Sequence, residues 1–306
     1  MATNTLAQVQ AVEQPTFKRV KVRTFTDRLV RGIFTHAPAT ISLFIIIFFV
    51  LVAIFAPAIA PHDPIKVDII KRLQPPAWQG GLPGYVLGTD QMGRDVLSRL
   101  IFGTRVSLQV GIFATIIAVI LGATLGIIAG FYGGRVDDII MRLNDAQRAF
   151  PFLVLAIAII AAVGQGLDKL IMVLGVFGWA NYGRFVRGET LSLREKEFVE
   201  AARTIGATNM RIMFVHILPN VMSTLLVLSS FSVAALIIAE SSLSFLGLGV
   251  PLPTPSWGNM LSDGREYMET AWWLAIFPGV TIGIIVLAVN ILGDRLRDIF
   301  DARTNL

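Results

Sequence analysis

Residues 38–60, PATISLFIIIFFVLVAIFAPAIA, carry no charged side chain. A run of this kind meets the roughly 20 apolar residues that a helix needs to cross the hydrocarbon core of a bilayer. Lipid offers no hydrogen bonds to an open backbone, so such a segment crosses as a helix. Further apolar tracts follow at about 106–130, 149–163, 170–183, 218–250 and 271–292. They predict an all-α polytopic membrane protein with about six transmembrane helices, which puts both termini on one side. With 54% of residues hydrophobic and 15% charged, little sequence remains for a separate soluble domain.

The chain divides into a polar arm at 1–37, a first transmembrane anchor at 38–60, an external segment at 61–104, a main transmembrane domain at 105–294 and a tail at 295–306. The arm holds Lys18, Arg19, Lys21, Arg23, Arg28 and Arg31 against Glu13 and Asp27. Pro61 directly after Ala60 argues against signal cleavage, so the first tract reads as an uncleaved anchor. With the arm inside, it and the inner segments hold six, three, six and three of the 26 Lys and Arg residues. Six of the remaining eight lie in the long 61–105 segment, where the positive-inside rule is weak. The net charge of +5 therefore reads as a record of membrane orientation and not as a nucleic-acid surface. The third and fourth tracts are short, and the flanking DDIIMRLNDAQRAF and FGWANYGRFV predict helices that run on past the membrane at their cytoplasmic ends. The fifth is too long for one straight span, so part of it must tilt, break or re-enter.

Between the fourth and fifth tracts lies EFVEAARTIGATNMRIMFVHILPN. Phe198, Ala201, Ala202 and Ile205 fall at helical spacing on one face. Gly206 suits a left-handed helix end, Thr208 or Asn209 suits the start of a second helix, and Met210, Met213, Phe214 and Ile217 repeat the spacing. Pro219 fits the first turn of the following span, where its missing N–H is harmless. A helix, a glycine turn and a second helix result. Spacing alone allows an interfacial hairpin that links two spans, but the small Ala201 and Ala202 favour close approach of a protein partner.

EAARTIGATNMRIMFVHILP resembles the EAA coupling loop (here 190–217) of membrane subunits of ATP-binding-cassette importers. It departs from that pattern at His216, and its HILPN ending is similar to the peptide and nickel branch of the family. LGTDQMGRDVLSRLIFGTRVSL, GFYGGRVDDIIMR, ESSLSFLGLG, PTPSWGNMLSDG and LGDRLRDIFDAR, in that order, resemble the C-type permease of dipeptide and oligopeptide importers. The resemblance implies a type I importer transmembrane domain in a bacterial or archaeal cytoplasmic membrane. It also implies a homologous B-type permease, two cytoplasmic ATPases and an external solute-binding protein as partners. ATPase coupling would fall on Glu200, Ala201, Ala202, Arg203, Gly206 and Pro219, with Glu200 facing a basic group of the ATPase.

No Gly-Lys pair exists for a phosphate-binding loop, so ATP and Mg belong to partner subunits and this chain is not itself an enzyme. There is no cysteine, and His36, His62 and His216 are far apart, which leaves thiol chemistry and a local metal site without support. Glu240, in AALIIAESSLSFLGLG, either lines the pathway or hydrogen-bonds near its helix end to Ser241, Ser242 or the companion permease. Near the start of the second span, Leu97, Leu100 and Ile101 share a face and predict an interfacial helix. Its Arg94, Arg99 and Arg105 are open to peptide carboxylates, lipid phosphates or Asp90 and Asp95. The 251–267 segment, with Trp257, reads as a cover over the pathway, a meeting point for the binding protein or a rigid loop. Trp272 and Trp273 suit an aromatic belt, and Pro278-Gly279 a kink. Nickel chelates, glutathione or oligosaccharides are alternative cargoes, and a secondary transporter is the rival from another class.

Overall fold

The computed structural model describes residues 31–301. The basic arm up to residue 30, including Lys18 to Arg28, and the last five residues of the tail lie outside the described residues. The named helices are α1 (Ala37–Ile59), α2 (Val96–Tyr132), α3 (Gly134–Arg148), α4 (Phe152–Val163), α5 (Leu167–Leu193) and α6 (Glu197–Thr204). They continue with α7 (Asn209–Phe245), α8 (Trp257–Arg265) and α9 (Trp273–Asp301). Among the described residues the only β-pairing is an isolated bridge between Thr89 and Asp95.

Four helices, α1, α2, α7 and α9, are long and apolar enough to cross a membrane, or five if the bent pair α3–α4 forms one span. The sequence suggested about six. α5 has the length, but Asn181, Arg184, Arg187 and Glu189 crowd its second half and lower its hydropathy. The third tract does not run on straight either. Pro151 has no N–H to donate, and α3 and α4 meet there at 87°.

α2 is the central element. Its 37 residues span about 55 Å, well beyond the ~30 Å hydrocarbon core. Asp95 caps its start by accepting from the Ser98 N–H at 2.9 Å. The expected interfacial helix leading into the second span is the first two turns of α2 itself. Along α5, the glycines of LGATLGIIAG let the two backbones meet. A Cβ on Gly122 would lie 2.3 Å from Tyr182 Cβ, and one on Gly126 would lie 2.7 Å from the Gly183 carbonyl oxygen. Gly130 faces Thr190 in the same way. This i, i+4, i+8 spacing is a small-residue helix interface.

One apolar cluster joins α2, α5, α6 and α7 through Phe131, Val186, Val199, Ala202, Ile212 and Val221. A second joins α2, α4, α5 and α7 through Val110, Ile160, Leu174 and Leu243. α1, α8 and α9 close the other side around Trp257, which is fully buried, stacks edge-on with Phe49 and donates its indole N–H to the Leu100 carbonyl at 3.1 Å. The 251–267 segment is thus anchored by a helix. Of the expected aromatic belt, Trp272 stays partly exposed, but Trp273 is buried and donates to the Thr89 carbonyl at 3.2 Å. α9 runs through Pro278 as a single helix.

Candidate functional site: a helical elbow and two buried polar clusters

The elbow forms as the spacing suggests. Gly206 holds φ +80. Its N–H donates to the Arg203 carbonyl at 2.9 Å and the Ala207 N–H to the Ala202 carbonyl at 3.0 Å. This is the paired 6→1 and 5→2 closure of a Schellman motif. Thr208, not Asn209, caps the next helix, its Oγ1 accepting from the Arg211 N–H at 3.3 Å. Ile212–Ile217 then form a π turn, in which the Leu218 N–H reaches back to the Met213 carbonyl. Widened turns of this kind relieve the clash that a proline ring makes with the preceding turn. Pro219 follows at once, and the helix continues without a break to Phe245.

The helix faces are rotated from the expected ones. On α6, Val199 and Ala202 are buried, while Phe198, Ala201 and Ile205 are exposed, Ile205 at 85%. On the following turns Ile212, Met213 and Ile217 are inside, and Met210 and Phe214 stay outside. The inner set packs on Phe131 and Val221, because α6 lies across the C-terminal end of α2 and its direction is set by those contacts. Ala202 thus serves the fold, and Ala201 is left on the free face. Glu200 is exposed beside it. Arg203 sits 5.5 Å above the Phe131 ring, an internal tie between elbow and α2. The free face combines apolar Phe198, Ile205, Met210 and Phe214 with the carboxylate of Glu200, and nothing in the described residues covers it.

Glu240 is fully buried. Its Oε2 accepts from Ser107 Oγ at 2.8 Å and Ser241 Oγ at 3.3 Å, and its Oε1 accepts from Ser244 Oγ at 2.7 Å. Ser242 instead donates to the Ile238 carbonyl. Ser107 belongs to α2, so the carboxylate ties α7 to α2. Its lone pairs are used inside the fold, which is how a buried polar group avoids its desolvation cost.

The second cluster was only half legible. Arg94 Nε donates to Asp90 Oδ2 at 2.6 Å, and both Arg94 and Arg99 donate to Asp263 Oδ2 at 3.2 Å. Arg99 is 1% exposed and belongs to α2, whereas Asp263 belongs to α8. Asp90 is the partner expected for these arginines, while Asp95 caps α2 instead. Asp263 lies 164 residues from Arg99, and no local spacing announces it. Farther out, Lys71 lies 2.9 Å from Asp68, and this hydrogen-bonded ion pair holds the Asp68 carboxyl below its ordinary range. Among the described residues no group of three or more metal-binding side chains comes together.

A bundle of helices long and apolar enough to cross a bilayer, with an amphipathic elbow on an uncovered face, defines a membrane-embedded protein. The family described as "Binding-protein-dependent transport system inner membrane component" matches residues 122–306, and "N-terminal TM domain of oligopeptide transport permease C" matches residues 24–76. The chain belongs to this family of ABC importer permeases, whose members are membrane components and not catalysts. It is 42% identical over 272 residues to the di/tripeptide transport system permease protein DppC of Pseudomonas aeruginosa, covering 88% of this chain and 90% of that one. It is 40% identical over 266 residues to the dipeptide permease of Haemophilus influenzae, covering 87% and 90%. It is 39% identical over 285 residues to the glutathione permease GsiD of Pectobacterium atrosepticum, covering 93% and 92%. An inward-facing structure of the MetNI methionine ABC transporter has a chain of the same fold, with a TM-score of 0.53 and 20% identity. The match covers 66% of this chain and 96% of that one.

Proposed function

We propose that this chain is the C-type permease subunit of a peptide importer. It forms one half of the pathway with a homologous B-type permease, and the other half of the machine supplies energy and cargo. Two cytoplasmic ATPases carry ATP and Mg, and an external solute-binding protein delivers the peptide. Both termini lie in the cytoplasm, on the side of the elbow. The observation that carries this reading is the free face of Phe198, Ala201, Ile205, Met210 and Phe214 beside Glu200, held rigid by the Schellman turn. A short, capped helix with a small residue at its centre fits a groove on a folded partner better than it fits lipid. Motion of that partner passes directly into α7, because the elbow and the span are one helix from Asn209 onward.

Affinity purification of this chain from membranes containing all subunits tests the assignment. The unaltered chain should bring down the companion permease and two ATPase chains. Ile205→Glu should lose the ATPases and keep the companion; ATPases retained at full stoichiometry would remove the elbow from the docking surface. Uptake by this chain alone, unaffected by ATP depletion, would instead support a secondary transporter. Glutathione is the second cargo to test, since a permease named for it is 39% identical to this chain.

A further inference from the structure

A cavity at the α3–α4 bend is not used by the coupling elbow. It is open on one side, has a volume of about 580 Å³ and is walled by the end of α3, the start of α4, the middle of α5 and one face of α7. Small-ligand sites typically enclose about 300–1,000 Å³. Phe150, Phe152 and Phe177 give it aromatic walls, and Arg148, Asn181 and Ser232 give it polar ones. Gln147 Nε2 donates to the Phe177 carbonyl at 2.5 Å and fixes the last turn of α3 against α5, so the cavity has a rigid rim.

Arg148 sets this cavity apart. The neighbouring cations are neutralised within the fold: Arg184 pairs with Asp145, and Arg187 grips Asp137 through two bonds of 2.8 and 2.5 Å. Arg148 meets no carboxylate within 4.0 Å among the described residues. Arg148 and Asn181 are both exposed at the mouth of the cavity, where Arg148 Nη1 donates to Asn181 Oδ1 at 3.1 Å and most of its five N–H donors remain open to a ligand. A planar donor fork beside apolar walls fits an oxyanion taken bidentately, a carboxylate or a phosphate.

We propose that this cavity binds the peptide in transit, with Arg148 receiving its C-terminal carboxylate and the phenylalanine rings receiving its side chains. The inference rests on the peptide-importer reading and assigns that reading a binding site within this chain. A headgroup phosphate has related chemistry, but a lipid headgroup does not need the aromatic rings or the α7 wall that line the cavity behind Arg148.

The test uses the complete importer in proteoliposomes, with the binding protein saturated with either dialanine or dialanine amide. Arg148→Gln should lower dialanine uptake about tenfold, leave the amide unchanged and leave ATPase activity without peptide unchanged; Arg148→Lys should restore part of the loss. Equal losses for acid and amide, or no loss, would overturn the site while leaving the importer reading intact. No uptake of either peptide by the unaltered complex would overturn both. A loss that follows the anionic-lipid content of the vesicles would assign Arg148 to headgroups. A second measurement does not depend on transport. The chain has no cysteine, so Ser232→Cys gives this subunit a single thiol on the cavity wall. Millimolar dialanine should slow its maleimide labelling in the assembled complex, and Arg148→Gln should abolish that protection. Equal labelling with and without dialanine counts against the site.

Discussion

Gly206 holds φ +80, and nothing lies within 4 Å of where its Cβ would sit, so a side chain there meets a conformational cost and no steric one. For an ordinary residue the left-handed region costs about 1–2 kcal/mol, and more for a β-branched one, whereas asparagine visits it readily. Gly206→Asn should therefore transport near the normal rate, and Gly206→Val should lose at least about tenfold in peptide uptake with unchanged amounts in the membrane. Uptake of labelled dipeptide alongside immunoblotting decides this, and equal behaviour of the two variants would separate the turn from coupling. Glu240 is the opposite case, fully buried with Ser107, Ser241 and Ser244 donating to its carboxylate. Glu240→Leu strands the hydroxyls of Ser107, Ser241 and Ser244 and should cost about 3 kcal/mol, at 1–3 kcal/mol for each unsatisfied buried group with partial rearrangement among them. Glu240→Gln keeps an acceptor and should cost under about 1 kcal/mol, with an unchanged preference between charged and neutral peptides. Thermal melts in detergent and a peptide uptake panel check the two halves, and an altered charge preference would return Glu240 to the pathway.

At the level of the helices, the α2–α5 contact is carried by glycines where a methyl group has no room. Gly126→Ala places a carbon against the Gly183 carbonyl and should destabilise by about 1–3 kcal/mol, and Gly126→Leu should prevent accumulation of folded chain. Gly188, on the same α5, has nothing within 4 Å, so Gly188→Ala should gain about 0.5–1 kcal/mol from helix propensity alone. Melting temperatures of the two alanine variants moving in the same direction would defeat this account. The comparison also explains which features are legible in sequence. The elbow was legible because a glycine turn and an N-cap are local chemistry: Gly206, Thr208 and Pro219 each act within a few residues. The faces of α6 were not, because rotation about a helix axis is decided by contacts with Phe131 and Val221 from distant elements. The α2–α5 interface lay in plain view as LGATLGIIAG, although apolarity alone marks that stretch only as a span. The bend at Pro151 and the full length of α2 were missed for a related reason, since hydropathy reports where lipid is tolerated and not where a helix starts or turns.

Across the whole molecule, the 61–95 segment and α8 are held to the bundle by charge as well as by apolar packing. Arg94 and Arg99 share Asp90 and Asp263, with Arg99 and Asp90 buried and Asp263 a quarter exposed. Two cations and two carboxylates balance, which makes removal of one member costly. Asp263→Ala leaves both guanidiniums on Asp90 and should destabilise by about 3 kcal/mol, the lower end for breaking a buried pair. The loss should also raise protease sensitivity of the 61–95 segment, because Asp263 is the contact that carries α8 onto Arg94 and Arg99. Adding Arg99→Met removes the surplus charge with its missing partner, while the 2.6 Å Arg94–Asp90 bond remains complete. The double variant should then be no less stable than Asp263→Ala alone, giving a coupling energy of about 1–3 kcal/mol in a double-mutant cycle. Melting temperatures of the wild type, both single variants and the double variant provide that cycle. Additive losses would mean that Arg99 and Asp263 lie close together without depending on each other, and that apolar packing around Trp257 and Trp273 alone holds the 61–95 segment and α8 in place.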